Sequence, residues 1–183
     1  MGREGERYHD LIGTPWGWIG AVYSDEGLQG LILPRKTRKS AESLLGKTFG
    51  PTGKSRPWKE LRDQLREWLD GKGRQPSLPL DITAPGDFTR RIWEEASRIP
   101  SGTTVTYGEI AARAGSKGAA RAAGQAMRRN PVPIFIPCHR VVGATGPGGF
   151  SGSPKPGLKT KMLALEAGAG RGRNPVRGRG DSR

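Results

Sequence analysis

The chain has 183 residues, 31 Lys plus Arg against 17 Asp plus Glu, a formal net charge of +14, 33% apolar residues and one cysteine. No apolar run approaches the roughly 20 residues of a membrane helix, and a lone cysteine makes neither an internal disulfide nor a cysteine-rich zinc site, so membrane-spanning, disulfide-stapled and zinc-ribbon classes are set aside. The start lacks the pattern of a secretory leader, which predicts an intracellular protein, and the charge excess calls for a polyanion, nucleic acid before an acidic membrane surface.

Trp16 to Tyr23 and Leu28 to Leu33 read as two strands of a hairpin, with Ser24, Asp25, Glu26 and Gly27 between them, and the stretch before them, including His9, reads as poorly structured. Pro34 to Arg56 is basic and rich in Gly, Ser and Pro, a long loop with a short helix at Ser40 to Leu45. Trp58, Leu61, Leu65, Trp68 and Leu69 recur at helical spacing until Gly71, and Leu78 to Ile82 suits one more strand. Pro85 and Gly86 mark a domain boundary, because short helices with readable caps follow. Asp87 is placed to cap a helix whose inner face is Phe88, Ile92, Trp93, Ala96 and Ile99. Thr106 and Glu109 have capping-box spacing for a helix from Tyr107 to Ala114 that stops at Gly115. After Ser116, Lys117 and Gly118 a second helix runs to about Arg129, the layout of a helix-turn-helix. At about 100° per residue, Ala119, Ala122, Ala123, Ala126 and Met127 share one side of it and Arg121, Gly124, Gln125 and Arg128 the other. That outer side reads as a nucleic-acid surface, with a small-residue packing helix bearing ordinary surface arginines as the open alternative. From Gly168 to Arg183 there are five arginines and five glycines, a tail expected to be disordered.

Ile134, Phe135 and Ile136 form a strand-like run into Pro137, followed by Cys138, His139 and Arg140. Pro137 holds the thiol at a rigid point, and the two basic groups after it are placed to lower its pKa and raise the thiolate fraction. Neighbouring side chains on a strand face opposite ways, so Cys138 and His139 touch only if the backbone turns there; otherwise water links them, which disfavours a direct hydrolase dyad. In the last helix Glu166 falls about 80° round from Leu158, inside the apolar arc, where a carboxylate needs a partner. His139, a structural arginine, and exposure at a frayed end all stay open.

Together, Arg121 to Asn130, the run Pro131, Val132, Pro133, Ile134, the block Pro137 to Val142, and Lys159 to Glu166 resemble the O6-alkylguanine-DNA alkyltransferases, a likeness covering about Phe88 to Ala167. The resemblance implies an α/β fold: a small N-terminal sheet-plus-helix domain of ribonuclease H-like type over 1–85, a winged helix-turn-helix-like domain carrying the cysteine over 86–167, and a tail over 168–183. It implies direct reversal of DNA damage: Cys138 accepts the alkyl group of O6-alkylguanine, with O4-alkylthymine as a second lesion, once per molecule and with neither cofactor nor metal. His139 is the implied base through water, Glu166 its orienting carboxylate, Asn130 a brace, and Tyr107 a donor to the leaving guanine. Arg121 fills the gap left by the flipped nucleotide, and Thr89, Tyr107, Gly108, Ser116, Gln125 and Arg128 complete the implied DNA contacts. Phe150, Ser151, Val141 and Lys159 are the implied pocket. The chain departs from the family in a loop after Cys138 one residue shorter than usual, Phe150 where Tyr is common, and a longer, Pro-containing stretch at 153–158. The implied partner is duplex DNA bearing alkylated guanine, met by a monomer able to cluster along it, away from membranes. Two rivals are weighed. A regulator built on the same helix-turn-helix is opposed by the presence of Cys138, and a Cys-His hydrolase requires the disfavoured dyad.

Overall fold

A computed structural model describes residues 6–72, 74–146 and 157–171. Strands β1 (Tyr8–Thr14), β2 (Gly17–Tyr23) and β3 (Leu28–Arg35) form an antiparallel meander in the order β1-β2-β3. The hairpin β2–β3 is the one expected. β1 is additional, and it places His9 in the sheet with its Nδ1 2.9 Å from Thr52 Oγ1, not in an unstructured start. Its signal is weak because both faces of the sheet are covered, so β1 shows no simple alternation of apolar and polar residues.

One sheet face, with Ile12, Ile19, Ala21, Tyr23 and Leu33, joins the main core; the other packs Leu11, Val22 and Ile32 against Ala41 and Leu45 of α1 (Arg38–Phe49). This helix has twelve residues, longer than the predicted piece at 40–45 and replacing most of the predicted loop. It starts where the Thr37 side chain accepts from Ser40 N (3.1 Å) and stops at Gly50, whose φ of 74° favours glycine. Gly30 on β3 is required for close approach, since a Cβ there would overlap the Phe49 ring.

Helix α2 (Lys59–Leu69) buries Leu61, Leu65, Trp68 and Leu69, as the spacing predicts. The predicted strand at Leu78 to Ile82 is absent. In its place is a single bridge to Leu28, built from Leu28 N to Pro79 O (2.9 Å) and Asp81 N to Leu28 O (3.0 Å), and Pro79 has no N–H with which to extend a ladder. Helix α3 (Asp87–Ser97) buries Ile92, Trp93 and Ala96. Asp87 is its first residue and not its cap; that position is Gly86, at φ 102°, and Asp87 acts on the helix terminus through its charge. Strand β4 (Val105–Thr106) leads into α4 (Tyr107–Arg113), where both halves of the predicted capping box form. Gly115 (φ 78°) and Gly118 (φ 87°) flank the turn to α5 (Ala120–Arg128). β5 (Val141–Val142) pairs in parallel with β4, and α6 (Leu158–Arg171) closes the described chain. Its backbone is helical through residues 168–171, the first four of the predicted tail, because extending a formed helix by a residue is far easier than starting one. The main core is continuous from Tyr8 through α2, α3, α4 and α5 to Met162. The sheet and the helical part thus pack as contiguous apolar surfaces.

Candidate active site and nucleic-acid interface

The expected strand at Ile134 to Ile136 is a tight turn. Asn130 shapes it: its Oδ1 accepts from Val132 N (3.0 Å) and its Nδ2 donates to Ile136 O (2.9 Å), while Ile136 N closes on Val132 O (3.0 Å). Ile134 takes φ 80°, a conformation that a β-branched residue adopts only when its surroundings demand it. Its side chain is fully buried, and Gln75 Nε2 binds the carbonyls of Ile134 and Phe135 at 3.2 Å each. From β3, Leu31 N reaches Pro131 O (2.8 Å) and ties the turn to the sheet.

The chain then winds into one 3-10 turn, Cys138–Arg140, so the backbone does turn at Cys138 and His139 and is not an extended strand there. Cys138 is 8% exposed, and its thiol is pushed up to about 11 by burial, against which a hydrogen bond from Asn130 and the charge of Lys159 act. This corrects the expectation that His139 and Arg140 lower it. Both are turned inward, and the cation that acts on the sulfur comes from α6. Lys159 is itself buried, donates from Nζ to Val141 O (2.6 Å), lies 5.5 Å from the Tyr107 ring centroid, and is pushed down by desolvation. Tyr107, at the start of α4, is half-buried, and its phenol is raised first by burial and then by the facing Cys138.

Below the thiol, His139 Nε2 lies 2.9 Å from Glu166 Oε1. Arg140 donates to the same carboxylate from Nε (2.9 Å to Oε2) and Nη2 (2.6 Å to Oε1), and Gly102 N adds 3.1 Å to Oε2. Two of the open readings of Glu166 are therefore realised together, histidine and structural arginine, while the frayed-end reading is not: the residue is 3% exposed. Burial works to raise its carboxyl, but the hydrogen bonds and charges of His139 and Arg140 prevail and hold it at about 2. A carboxylate so held only accepts, so Nε2 carries the proton. Burial depresses the histidine below its ordinary value despite the carboxylate, so the ring is neutral and Nδ1 bears a lone pair. Nδ1 is buried and has no hydrogen-bond partner among the described residues, leaving it able to accept a proton.

The sequence reading missed the role of Arg140 as the partner of Glu166, and missed Trp68 altogether as a neighbour of the site. Arg140 is 1% exposed and also donates from Nη1 to Ile99 O (2.6 Å); the available signal was an arginine beside apolar Val141 and Val142. Trp68 of α2 packs its ring 5.7 Å from the His139 ring, which only the fold could reveal.

Helices α4 and α5 and the turn between them pack on α3. Trp93 Nε1 donates to Ala126 O (2.9 Å) and Arg91 Nε to Ala114 O (3.0 Å), fixing α3 against both helices. On α5, Ala123, Ala126 and Met127 are buried as expected; Ala122 is exposed, correcting its place on the packed side. At about 100° per residue Ala122 lies about 140° from Met127, at the far edge of the buried stripe. Arg121, Gln125 and Arg128 are exposed, Ser116 is half-buried, Gly108 is exposed, and Gly124 meets the Tyr107 ring. Thr89 is only 6% exposed, so little of it is presented to a partner. Phe150 and Ser151, with the loop departures around them, lie outside the described residues.

The fold and the site define a class: proteins in which a buried cysteine is followed by a histidine and an arginine that share one buried glutamate, with two short helices joined by a turn packed on the same core. Residues 87–168 match the family model described as 6-O-methylguanine DNA methyltransferase, DNA binding domain. Over 150 residues the chain is 37% identical to a methylated-DNA--protein-cysteine methyltransferase of Methanothermobacter thermautotrophicus, covering 81% of this chain and 78% of that protein. A protein of the same name from Mycolicibacterium paratuberculosis is 41% identical over 158 residues, 85% of this chain and 89% of that one. The crystal structure of the Mycobacterium tuberculosis O6-methylguanine methyltransferase superposes with a TM-score of 0.70 at 30% identity, covering 93% of this chain and 96% of that one. The chain belongs to the methylated-DNA--protein-cysteine methyltransferase family.

Proposed function

We propose that this protein repairs O6-alkylguanine in duplex DNA by transferring the alkyl group to Cys138, one group per molecule. The observation that carries the reading is the state of the His139 ring: Nε2 is committed to an ionised Glu166, and the buried Nδ1, with no partner among the described residues, is free to accept a proton. The thiol proton passes through a water to Nδ1, and the thiolate attacks the alkyl carbon. The S–C bond forms as the C–O6 bond breaks. The electron pair left on the base is relieved by a hydrogen bond from the Tyr107 hydroxyl and by a ring proton taken up from solvent, which regenerates guanine, while the imidazolium returns the thiol's proton to solvent, so that no net proton is gained or lost. A thiol raised to about 11 stays protonated until this transfer is set up, which suits a nucleophile that is used once.

The base must leave the helix to reach a sulfur this deep. We assign Arg121, exposed near the start of α5, to fill the vacated stack, with Gln125, Arg128, Gly108 and Ser116 lining the approach to the minor groove and Thr89 supporting them from beneath. We assign Val141 and Lys159 to the nucleotide pocket. In this reading 1–85 is a ribonuclease H-like layer and 86–167 a winged helix-turn-helix unit with β4 and β5 at its wing. The protein works as a monomer, able to cluster on DNA inside the cell.

The test is the mass of the Cys138 peptide after incubation with a duplex containing O6-methylguanine. A gain of one methylene mass, saturating at a single equivalent, is expected. Cys138→Ala should bind the duplex and leave the lesion intact, and residual repair by that variant refutes the assignment.

A further inference from the structure

Surface cations on α2 and α3, and Arg56 before them, are mostly neutralised in pairs: Arg56 with Asp25, Lys59 with Asp63, Arg90 with Asp87 and Glu94, Arg98 with Glu95. The approach to α1 differs. Residues 34–56 hold seven Lys and Arg and one acid, Glu42. Lys36, Arg38 and Lys39 are all exposed within four positions, and none of them forms an ion pair among the described residues, although Glu42 stands one helical turn beyond Arg38. Like charges this close repel one another, and an external anion relieves that repulsion.

The cluster also has a direction. A cleft of about 370 Å³ runs between the β3–α1 region and the end of α5, with Arg35, Leu44 and Thr48 on one bank and Arg128 and Arg129 on the other. Arg128 and Arg129 are exposed and likewise outside the ion pairs. Exposed cations outside the ion pairs therefore stand at the end of α5, as Arg128 and Arg129, and beyond the opposite bank at the start of α1, as Lys36, Arg38 and Lys39, while α2 and α3 carry balanced surfaces. A regularly spaced polyanion fits such a track better than a single small anion does.

We propose that Lys36, Arg38 and Lys39 form a second phosphate-binding patch, which carries the duplex from α5 across the cleft onto the first turn of α1. This rests on the DNA-repair reading and extends its footprint to the N-terminal part of the chain. The patch acts through charge alone, adding affinity without sequence preference.

The salt dependence of binding to an undamaged duplex tests it. Each phosphate that is no longer neutralised should lower the slope of log K against log salt by roughly 0.9, so K36Q/R38Q/K39Q is expected to lower it by about 2 to 3. The comparison is K59Q/R90Q/R98Q, which removes the same charge from paired positions and should leave the slope unchanged. A single K39E should move the slope in the same direction as the triple variant, which guards against a folding defect in the latter. An unchanged slope in the patch variants overturns the proposal, as does an equal fall in the comparison variant, which would make the effect one of net charge. If the parent protein shows no salt-dependent duplex binding, the DNA-repair reading fails and this inference with it.

Discussion

Glu166 receives four donors from three residues, and the consequence for His139 is chemical as well as structural. Glu166→Gln offers an amide that can donate where the carboxylate only accepts, so the histidine tautomer is no longer fixed. Transfer should slow by about 10²–10⁴, the usual contribution of a positioned base, measured as single-turnover loss of O6-methylguanine. The parent's rate should be flat through neutral pH and fall on acidification below the ordinary imidazole range, because the histidine is depressed and must be neutral to accept a proton. A rate that falls already above that range would contradict the geometry. At this scale the sequence was half legible. The helical angle of Glu166 showed that it needed a partner, and the two residues after Cys138 announced a special cysteine. The sign of the thiol's shift was not readable, because it depends on the burial of Cys138 in a 3-10 turn that also takes His139 and Arg140 inward, with only a lysine twenty-one residues away acting against that burial as a charge.

Elements with local signals were legible and elements made by tertiary contact were not. The capping box of α4, the glycines around the turn and the stripe of α2 lie within single segments and form as read. β1, the full length of α1 and the turn at Ile134 depend on partners far along the chain, such as Leu31 holding Pro131. Two predictions belong here. Asn130→Ala leaves buried backbone groups of Val132 and Ile136 without their partner, costing about 2 kcal/mol or more, and it should also slow transfer by releasing the turn that positions Cys138; urea denaturation and single-turnover rates check both. Gly124→Ala should instead stabilise the protein by about 0.5–1 kcal/mol, since glycine is a poor interior helix residue. The added Cβ would meet the Tyr107 ring at 4.0 Å, an ordinary contact. A loss of stability would mean that α5 and Tyr107 pack more tightly than this.

Over the whole molecule, one core joins the sheet to the thiol-bearing helices, and Trp68 extends it to the His139 ring, so chemistry and folding share the same buried charges. Their linkage fixes how stability responds to acid. Glu166 has a folded value of about 2 against an ordinary 4.5. A depressed carboxyl stabilises above its unfolded value, and the contribution, on the order of 3 kcal/mol, is lost as pH falls from about 4.5 toward 2. His139 is also depressed, so the unfolded chain binds its proton first and stability begins to decline below the ordinary imidazole value of 6.5. Both shifts act in one direction, and the folded state should weaken steadily from near neutrality into acid. Glu166→Gln should be much less stable than the parent at pH 7, where it leaves Arg140 without its buried counter-charge, a loss of about 3–5 kcal/mol. The gap should narrow below about pH 4.5, where the unfolded parent chain takes up the Glu166 proton that the folded state still refuses. Urea midpoints at pH 7, 5 and 3 for both proteins give the result, and a gap that stays constant over that range would show that the Glu166 carboxylate is not the acid-sensitive bond of this fold.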